Sequence, residues 1–306
     1  MTGEIEADAG ARPAGRSVRS TALALVKVTR PWQWPKNLLV LAAPVAAGRL
    51  LEPTVWWRAG LAMAAFTAVS GAVYIFNDLR DAAADRLHPT KRLRPIASGR
   101  LGLPAAVALM VVLAAGLPLG WWLAPPLGWV LAAYLAVNLA YSLGLKHRPV
   151  IDLALVSSGF LLRAIAGGVS CDITLSQWFL LVAGFGSLFI VAGKRYSELV
   201  TVGSQAGTRP ALAAYTPGFL RVVWVMAASL VIVSYSLWAF EQGRPETGLP
   251  WDALSIAPFT VAILGYARLI ESGRADAPER ALARDPVFLA MATIWLACVL
   301  TAVATR

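Results

Sequence analysis

The chain has 306 residues, of which 58% are hydrophobic and only 14% charged, and its formal net charge is +10. Ordinary soluble domains carry roughly 25% charged residues. Here apolar runs recur along the whole length, which excludes a soluble globular enzyme and leaves no separate soluble domain. The two cysteines, Cys171 and Cys298, stand far apart without CxxC spacing and read as small apolar residues rather than a metal or redox pair.

In chain order, residues 1–20 are polar, basic and small, and are expected to form a disordered tail. No charged start followed by a cleavable apolar core is present, so no signal peptide is expected. Residues 21–37 read as an interfacial segment leading into the membrane. Its stretch "TRPWQWPKN" places Trp32 and Trp34 where the membrane–water interface would suit them and Lys36 at headgroup level; a simple anchor is the plainer alternative. A spanning helix needs about 20 mostly apolar residues. Nine candidates follow, at 38–51, 59–76, 103–124, 127–145, 150–169, 175–192, 219–240, 251–270 and 286–302. The first is short. Residues 38–306 are therefore expected to be one all-α polytopic membrane domain with nine transmembrane helices.

The 27 Lys and Arg residues divide unevenly over these spans: 22 lie on or toward the side of the N-terminal tail, four on or toward the other, and Arg163 alone lies deep inside a span. Cytoplasmic loops carry the excess. The N-terminus and the charged loops are thus expected in the cytoplasm and the C-terminus outside, in a multi-pass cell-membrane protein. Basic loops beside anionic lipid account for the net charge without nucleic acid as a partner.

The foot of the second span, "NDLRDAAADRLHPTKRLRPIASG" from Asn77 to Gly99, carries the densest chemistry. If the helix continues, Asp78, Asp81 and Asp85 fall at i, i+3 and i+7, with Asn77 four before Asp81, all on one face. Crowded carboxylates repel, and a hard cation relieves that. Mg²⁺ takes oxygen ligands and is commonly held by one or two carboxylates plus substrate phosphates. The bland alternative is a solvated helix end whose acids pair with Arg80 and Arg86. Lys91, Arg92 and Arg94 follow at once, on a segment stiffened by Pro89 and Pro95. Acids that hold a metal, beside a basic loop, suit a phosphorylated ligand.

These residues carry a resemblance. "NDLRDAAAD" followed by "RP..SG" resembles the first aspartate-rich motif of the UbiA superfamily of intramembrane prenyltransferases. The resemblance covers the chain from about Arg30 onward. It implies nine helices around a cytoplasmic-side cavity that binds Mg²⁺–diphosphate, with Asn77, Asp78, Asp81 and Asp85 as metal ligands and the three aspartates catalytic. It also implies a second aspartate-rich motif after the sixth span, where this chain reads "GKRYSEL", Gly193–Leu199. Only Glu198 is acidic there, and Lys194 and Arg195 are cations. Together with "HPTKRLRPIASG" and "YSLGLKH", this wording looks like one branch of the superfamily, the decaprenyl-phosphate phosphoribosyltransferases of actinobacterial cell-wall arabinan synthesis.

That branch implies phosphoribosyl pyrophosphate as donor and decaprenyl phosphate as acceptor. Lys36, Lys91, Arg92, Arg94, Lys146, Lys194 and Arg195 are then expected to share the phosphates, Tyr141 to line the substrate site, and Tyr196 and Glu198 to bind ribose hydroxyls. His147 reads as surface. Asp152 and Arg163 lie three turns apart on one helix face, roughly 16 Å, so each is expected to find another partner. Two other readings stay open. One is a prenyltransferase using a prenyl diphosphate. The other is a transporter of anionic solutes, against which stand the clustered acids and the lack of visibly broken helices in matched halves. Oligomeric state is open, with a homo-oligomer among the alternatives.

Overall fold

The computed structural model describes residues 18–202, 212–242, 248–275 and 282–305. Among them every regular element is helical. Residues 1–17 of the expected tail lie outside that range, and Val18–Val28 forms helix α1.

The expected first span departs most from expectation. Instead of a membrane-length α-helix, Pro31–Leu41 forms a 3-10 helix, followed by the short α2 (Ala42–Ala46). Pro31, Pro35 and Pro44 remove backbone donors that a regular α-helix would use. A 3-10 helix rises about 2.0 Å per residue, so the segment is stretched. One side of it packs inward, with Val40 and Asn37 buried. Next to α1, Val28 clusters with Ile75 near the C-terminal end of the following helix. At the other end, Leu41 packs with Val55, Ala59 and Cys171 near that helix's N-terminal end. The close fit depends on Gly167: a Cβ there would lie 1.8 Å from the Val40 carbonyl oxygen. Small residues allow such backbone approach between membrane helices.

Eight helices among the described residues are long and apolar enough to cross a membrane. They are α3 (Pro53–Arg80), extended by the short α4 (Ala82–Leu87); α5 with α6 (Leu103–Ala114, Gly116–Leu123); α7 (Pro125–Leu143); α8 (Ile151–Ser170); α9 (Gln177–Val202); α10 (Pro217–Glu241); α11 with α12 (Trp251–Leu254, Ile256–Glu271); and α13 (Pro286–Ala304). Several begin with proline at the first helical position, where its missing N–H has no intrahelical partner to lose. Thr216 and Asp285 cap α10 and α13, accepting from the N–H of Phe219 at 3.1 Å and Phe288 at 2.9 Å.

Burial ranks the helices. The apolar window of α3 is 56% buried and that of α8 50%, against 17% for α13. α3 and α8 are therefore the inner helices. One core cluster joins α3, α7, α8 and the 3-10 helix around Phe66, Leu127 and Leu131. Another joins α8, α9, α10 and α12 around Phe189, Leu220 and Ile270. Ala115 and Ser255 interrupt two of these helices while keeping helical backbone angles.

Candidate active site

The charged motif sits where α3 stops. At Asp81 the backbone leaves the helix (φ −88°, ψ 2°), and α4 restarts at Ala82. This break corrects the expectation of three carboxylates on one helical face. Asp78 and Asp85 are buried and converge, whereas Asp81 is more exposed. Arg94 donates to both converging carboxylates, at 3.1 Å to Asp78 and 2.6 Å to Asp85. Arg30 also pairs with Asp78, at 2.5 Å, and lies 4.9 Å from the centre of the Tyr74 ring. Asp81 instead pairs with Lys146, 3.3 Å away.

The alternative pairing with Arg80 and Arg86 does not form. Arg80 donates to the Ser142 carbonyl, and Arg86 to the Ala97 carbonyl at 3.4 Å. The Ser142 hydroxyl meets the Asn77 side-chain amide, tying the foot of α3 to the foot of α7.

Tyr141 and Lys146 enter from the end of α7 and the short 3-10 turn Leu145–His147. His147 is exposed, as expected. The next residues turn sharply: Val150 has φ +68°, and its N–H donates to the Tyr215 hydroxyl at 2.8 Å. Burial pushes the Tyr215 phenol above its ordinary pKa. Asp152 follows at the start of α8. Arg195 on α9 grips it with two hydrogen bonds, from Nε at 3.1 Å and Nη2 at 3.2 Å. Its third nitrogen reaches Glu198 at 3.3 Å, and Lys194 stands 3.9 Å from the same carboxylate. Arg195 is thus buried and occupied by protein carboxylates, while Lys194 and Glu198 keep partial exposure.

Tyr196 points elsewhere. Its hydroxyl accepts from Arg221 at 2.8 Å and donates to Glu271 at 3.3 Å, joining α9 to α10 and α12 rather than facing Glu198's partners. Lys91 is half-buried and Arg92 exposed on the loop after α4. Lys36 lies over the Phe160 ring, 5.5 Å from its centre. As expected, Asp152 and Arg163 do not pair: Arg163 bonds Asn37, Gly159 and Tyr134. Arg30 is the residue that reading the sequence missed. Nothing in its neighbourhood distinguishes it from an interfacial anchor, and only folding brings it to Asp78.

Among the described residues, no group of three or more His, Cys, Asp and Glu is gathered closely enough to hold a metal by itself. The pair Asp78 and Asp85 still fits a hard cation. One guanidinium nitrogen touches both carboxylates at once, so a small cation can do the same, with phosphate oxygens completing its shell. Cations and carboxylates alternate around this end of the bundle, a surface suited to a polyanion carrying a divalent ion.

Residues 38–304 match the UbiA prenyltransferase family. A Corynebacterium glutamicum protein named decaprenyl-phosphate phosphoribosyltransferase is 46% identical over 292 residues, covering 93% of this chain and 88% of that protein. A Mycolicibacterium smegmatis protein of the same name is 45% identical, covering 94% of each. Among solved structures, a UbiA homolog from Archaeoglobus fulgidus bound to DMAPP and Mg²⁺ superposes with a TM-score of 0.68 at 16% identity, over 92% of this chain and all of that one.

Proposed function

The chain belongs to the UbiA prenyltransferase family, and from that premise we propose that it transfers 5-phosphoribose from phosphoribosyl pyrophosphate to decaprenyl phosphate and releases pyrophosphate. The observation that carries this reading is the 46% identity, across 93% of the chain, to a protein named for that transfer. The product would serve as a lipid-linked precursor for cell-wall arabinan.

The chemistry asks little of general acids or bases. The acceptor is a phosphate monoester with a second pKa of about 6, so its oxygen is largely ionised and needs no base. The leaving pyrophosphate needs charge neutralisation rather than a proton. As the bond to the sugar C1 breaks, positive charge develops on the ring, as in glycoside hydrolysis. Catalysis then rests on positioning and electrostatics. Asp78 and Asp85 would hold Mg²⁺, which when bound neutralises pyrophosphate oxygens, with Asp81 and Asn77 beside them. Arg94, Lys91, Arg92, Lys146 and Lys194 would hold the phosphates. Glu198, paired with Arg195, would accept from ribose hydroxyls. Tyr196 serves this only indirectly, by fixing α9 against α10 and α12.

In the membrane, residues 38–306 would form the catalytic unit. The 3-10 helix and α2 would make a ninth crossing beside the eight long helices, since the segment runs along α3 from Arg30, paired with Asp78 at that helix's foot, to Leu41, packed with Val55 and Ala59 at its head. The charged end would face the cytoplasm and the C-terminus the outside. The lipid tail could then remain in hydrocarbon while its phosphate meets a water-soluble donor.

The test incubates purified protein with Mg²⁺, labelled phosphoribosyl pyrophosphate and polyprenyl phosphate. Label in the lipid fraction is expected. Consumption of a polyprenyl diphosphate with no use of phosphoribosyl pyrophosphate would replace this reading with prenyl transfer.

A further inference from the structure

Arg163 lies in α8, 5% exposed. Its Nε donates to Asn37 Oδ1 at 2.8 Å, Nη1 to the Gly159 carbonyl at 2.6 Å, and Nη2 to the Tyr134 hydroxyl at 3.1 Å. The rings of Phe66 and Tyr134 lie 4.9 Å from its Cζ, and that of Phe160 5.9 Å. Every one of these partners is neutral. Among the described residues no carboxylate pairs with Arg163, and Asp152, the acid on its own helix, is held by Arg195.

Buried arginines are almost always paired, and ionisable groups inside membrane bundles mark function by default. Carbonyls and ring faces stabilise a guanidinium but leave its charge uncancelled. In a low-dielectric interior that charge acts over a longer range than in water. Its direction of action follows from its neighbours. Arg163 lies against Phe66, midway along α3, whereas Arg30 lies over Tyr74 and pairs with Asp78 at that helix's foot. Arg163 therefore stands behind the Asp78 cluster, on the interior side. Lys36 faces the Phe160 ring that Arg163 also touches.

We propose that the uncompensated charge of Arg163 draws the phosphate of the lipid acceptor, rather than the donor, into the site. This rests on the phosphoribosyl-transfer reading above. The donor arrives from water with its own divalent ion. The lipid phosphate must leave headgroup water for the edge of an apolar bundle, and a fixed positive charge behind the site offsets that loss of hydration. Arg163 acts here as a positioning residue through its field, without touching the phosphate.

Asn37 makes the idea testable. Asn37→Asp places a carboxylate where the amide oxygen now accepts from Arg163, cancelling the charge at nearly constant shape. Asn37→Ser removes the same bond without adding charge. Asn37, which bonds Arg163, also bonds Thr67, about 16 Å along α3 from Asp78, and a unit charge at that distance and an effective dielectric of about 20 changes affinity roughly fivefold. The expected result with purified protein is a rise of that size in the KM for polyprenyl phosphate in Asn37→Asp. The KM for phosphoribosyl pyrophosphate should move much less, and Asn37→Ser should shift the lipid KM much less. An unchanged lipid KM in folded Asn37→Asp, an equal rise for both substrates, or an equal rise in Asn37→Ser would each overturn the proposal. If Asn37→Asp does not purify as a folded protein, Arg163→Lys and Arg163→Gln read the same quantity. The lysine variant, which keeps the charge, should have the lower lipid KM, and equal values overturn the idea. Wild-type protein that labels no lipid defeats the reaction and this inference together; labelling with an unmoved lipid KM defeats the inference alone.

Discussion

One nitrogen of Arg94 lies 3.1 Å from Asp78 and 2.6 Å from Asp85, so a single guanidinium bridges carboxylates from two different helices. Arg94 spans the kink at Asp81, where α3 gives way to α4. The acids that converge are thus the outer two of the motif.

The first expectation follows from that geometry. Asp78→Ala and Asp85→Ala should each reduce turnover by at least about a hundredfold, the scale of losing a principal electrostatic contact in a catalytic site. Asp81→Ala, which removes a partly exposed partner of Lys146, should cost less. EDTA should abolish activity and Mg²⁺ restore it. Steady-state kinetics on the three variants checks the order, and full activity in Asp78→Ala would remove that residue from the site.

Lys194 and Arg195 are neighbours with different expected phenotypes. Arg195 is buried against Asp152, and removing one member of such a pair leaves an uncompensated charge, costing about 3–5 kcal/mol. Arg195→Ala and Asp152→Ala should therefore lower the thermal midpoint in detergent. Lys194→Ala should leave stability nearly unchanged and raise the KM for phosphoribosyl pyrophosphate about ten- to a hundredfold, the worth of one charge-assisted contact. A stable Arg195→Ala protein would contradict the structural role drawn for that residue.

Gly167 sets the depth at which the 3-10 helix docks. A methyl group there would meet the Val40 carbonyl at 1.8 Å, which neither backbone can accommodate in place. Gly167→Ala should destabilise by roughly 1–3 kcal/mol, the usual cost of overpacking. Because Arg30 and Lys36 flank or belong to the displaced segment, activity should fall as well. Thermal unfolding and turnover measured on one preparation would show both effects.

Sidedness can be read with thiol chemistry. In a background lacking Cys171 and Cys298, Ser98→Cys should resist a membrane-impermeant maleimide in intact cells, and Leu51→Cys should react. Both positions are exposed on the protein, so protection reports the membrane rather than burial. The reverse pattern would invert the proposed orientation.

Much of this was legible before folding. Runs such as Pro217–Glu241 need only enough consecutive apolar residues to become helices, because a bilayer leaves backbone groups no partners but each other. The acids at Asn77–Asp85 were visible for the same local reason: charges at the end of an oily helix stand out. The three-acid face failed because it assumed the helix would continue past Asp81. The first span did not become one α-helix because Pro31 and Pro35 in the entry segment and Pro44 in the apolar run favoured a stretched 3-10 path.

By itself the sequence determined the all-helical membrane class, the family and the end of the bundle where charge gathers. Each of these rests on composition or on spacing within a few turns. Only the tertiary structure decided who meets whom. Arg30 reaches Asp78 across 48 positions, Asp152 claims Arg195 across 43, and Asn37 meets Arg163 across 126. In an apolar interior each buried charge settles on whichever polar group the helix packing brings within reach, and that packing is set by interactions along the whole chain.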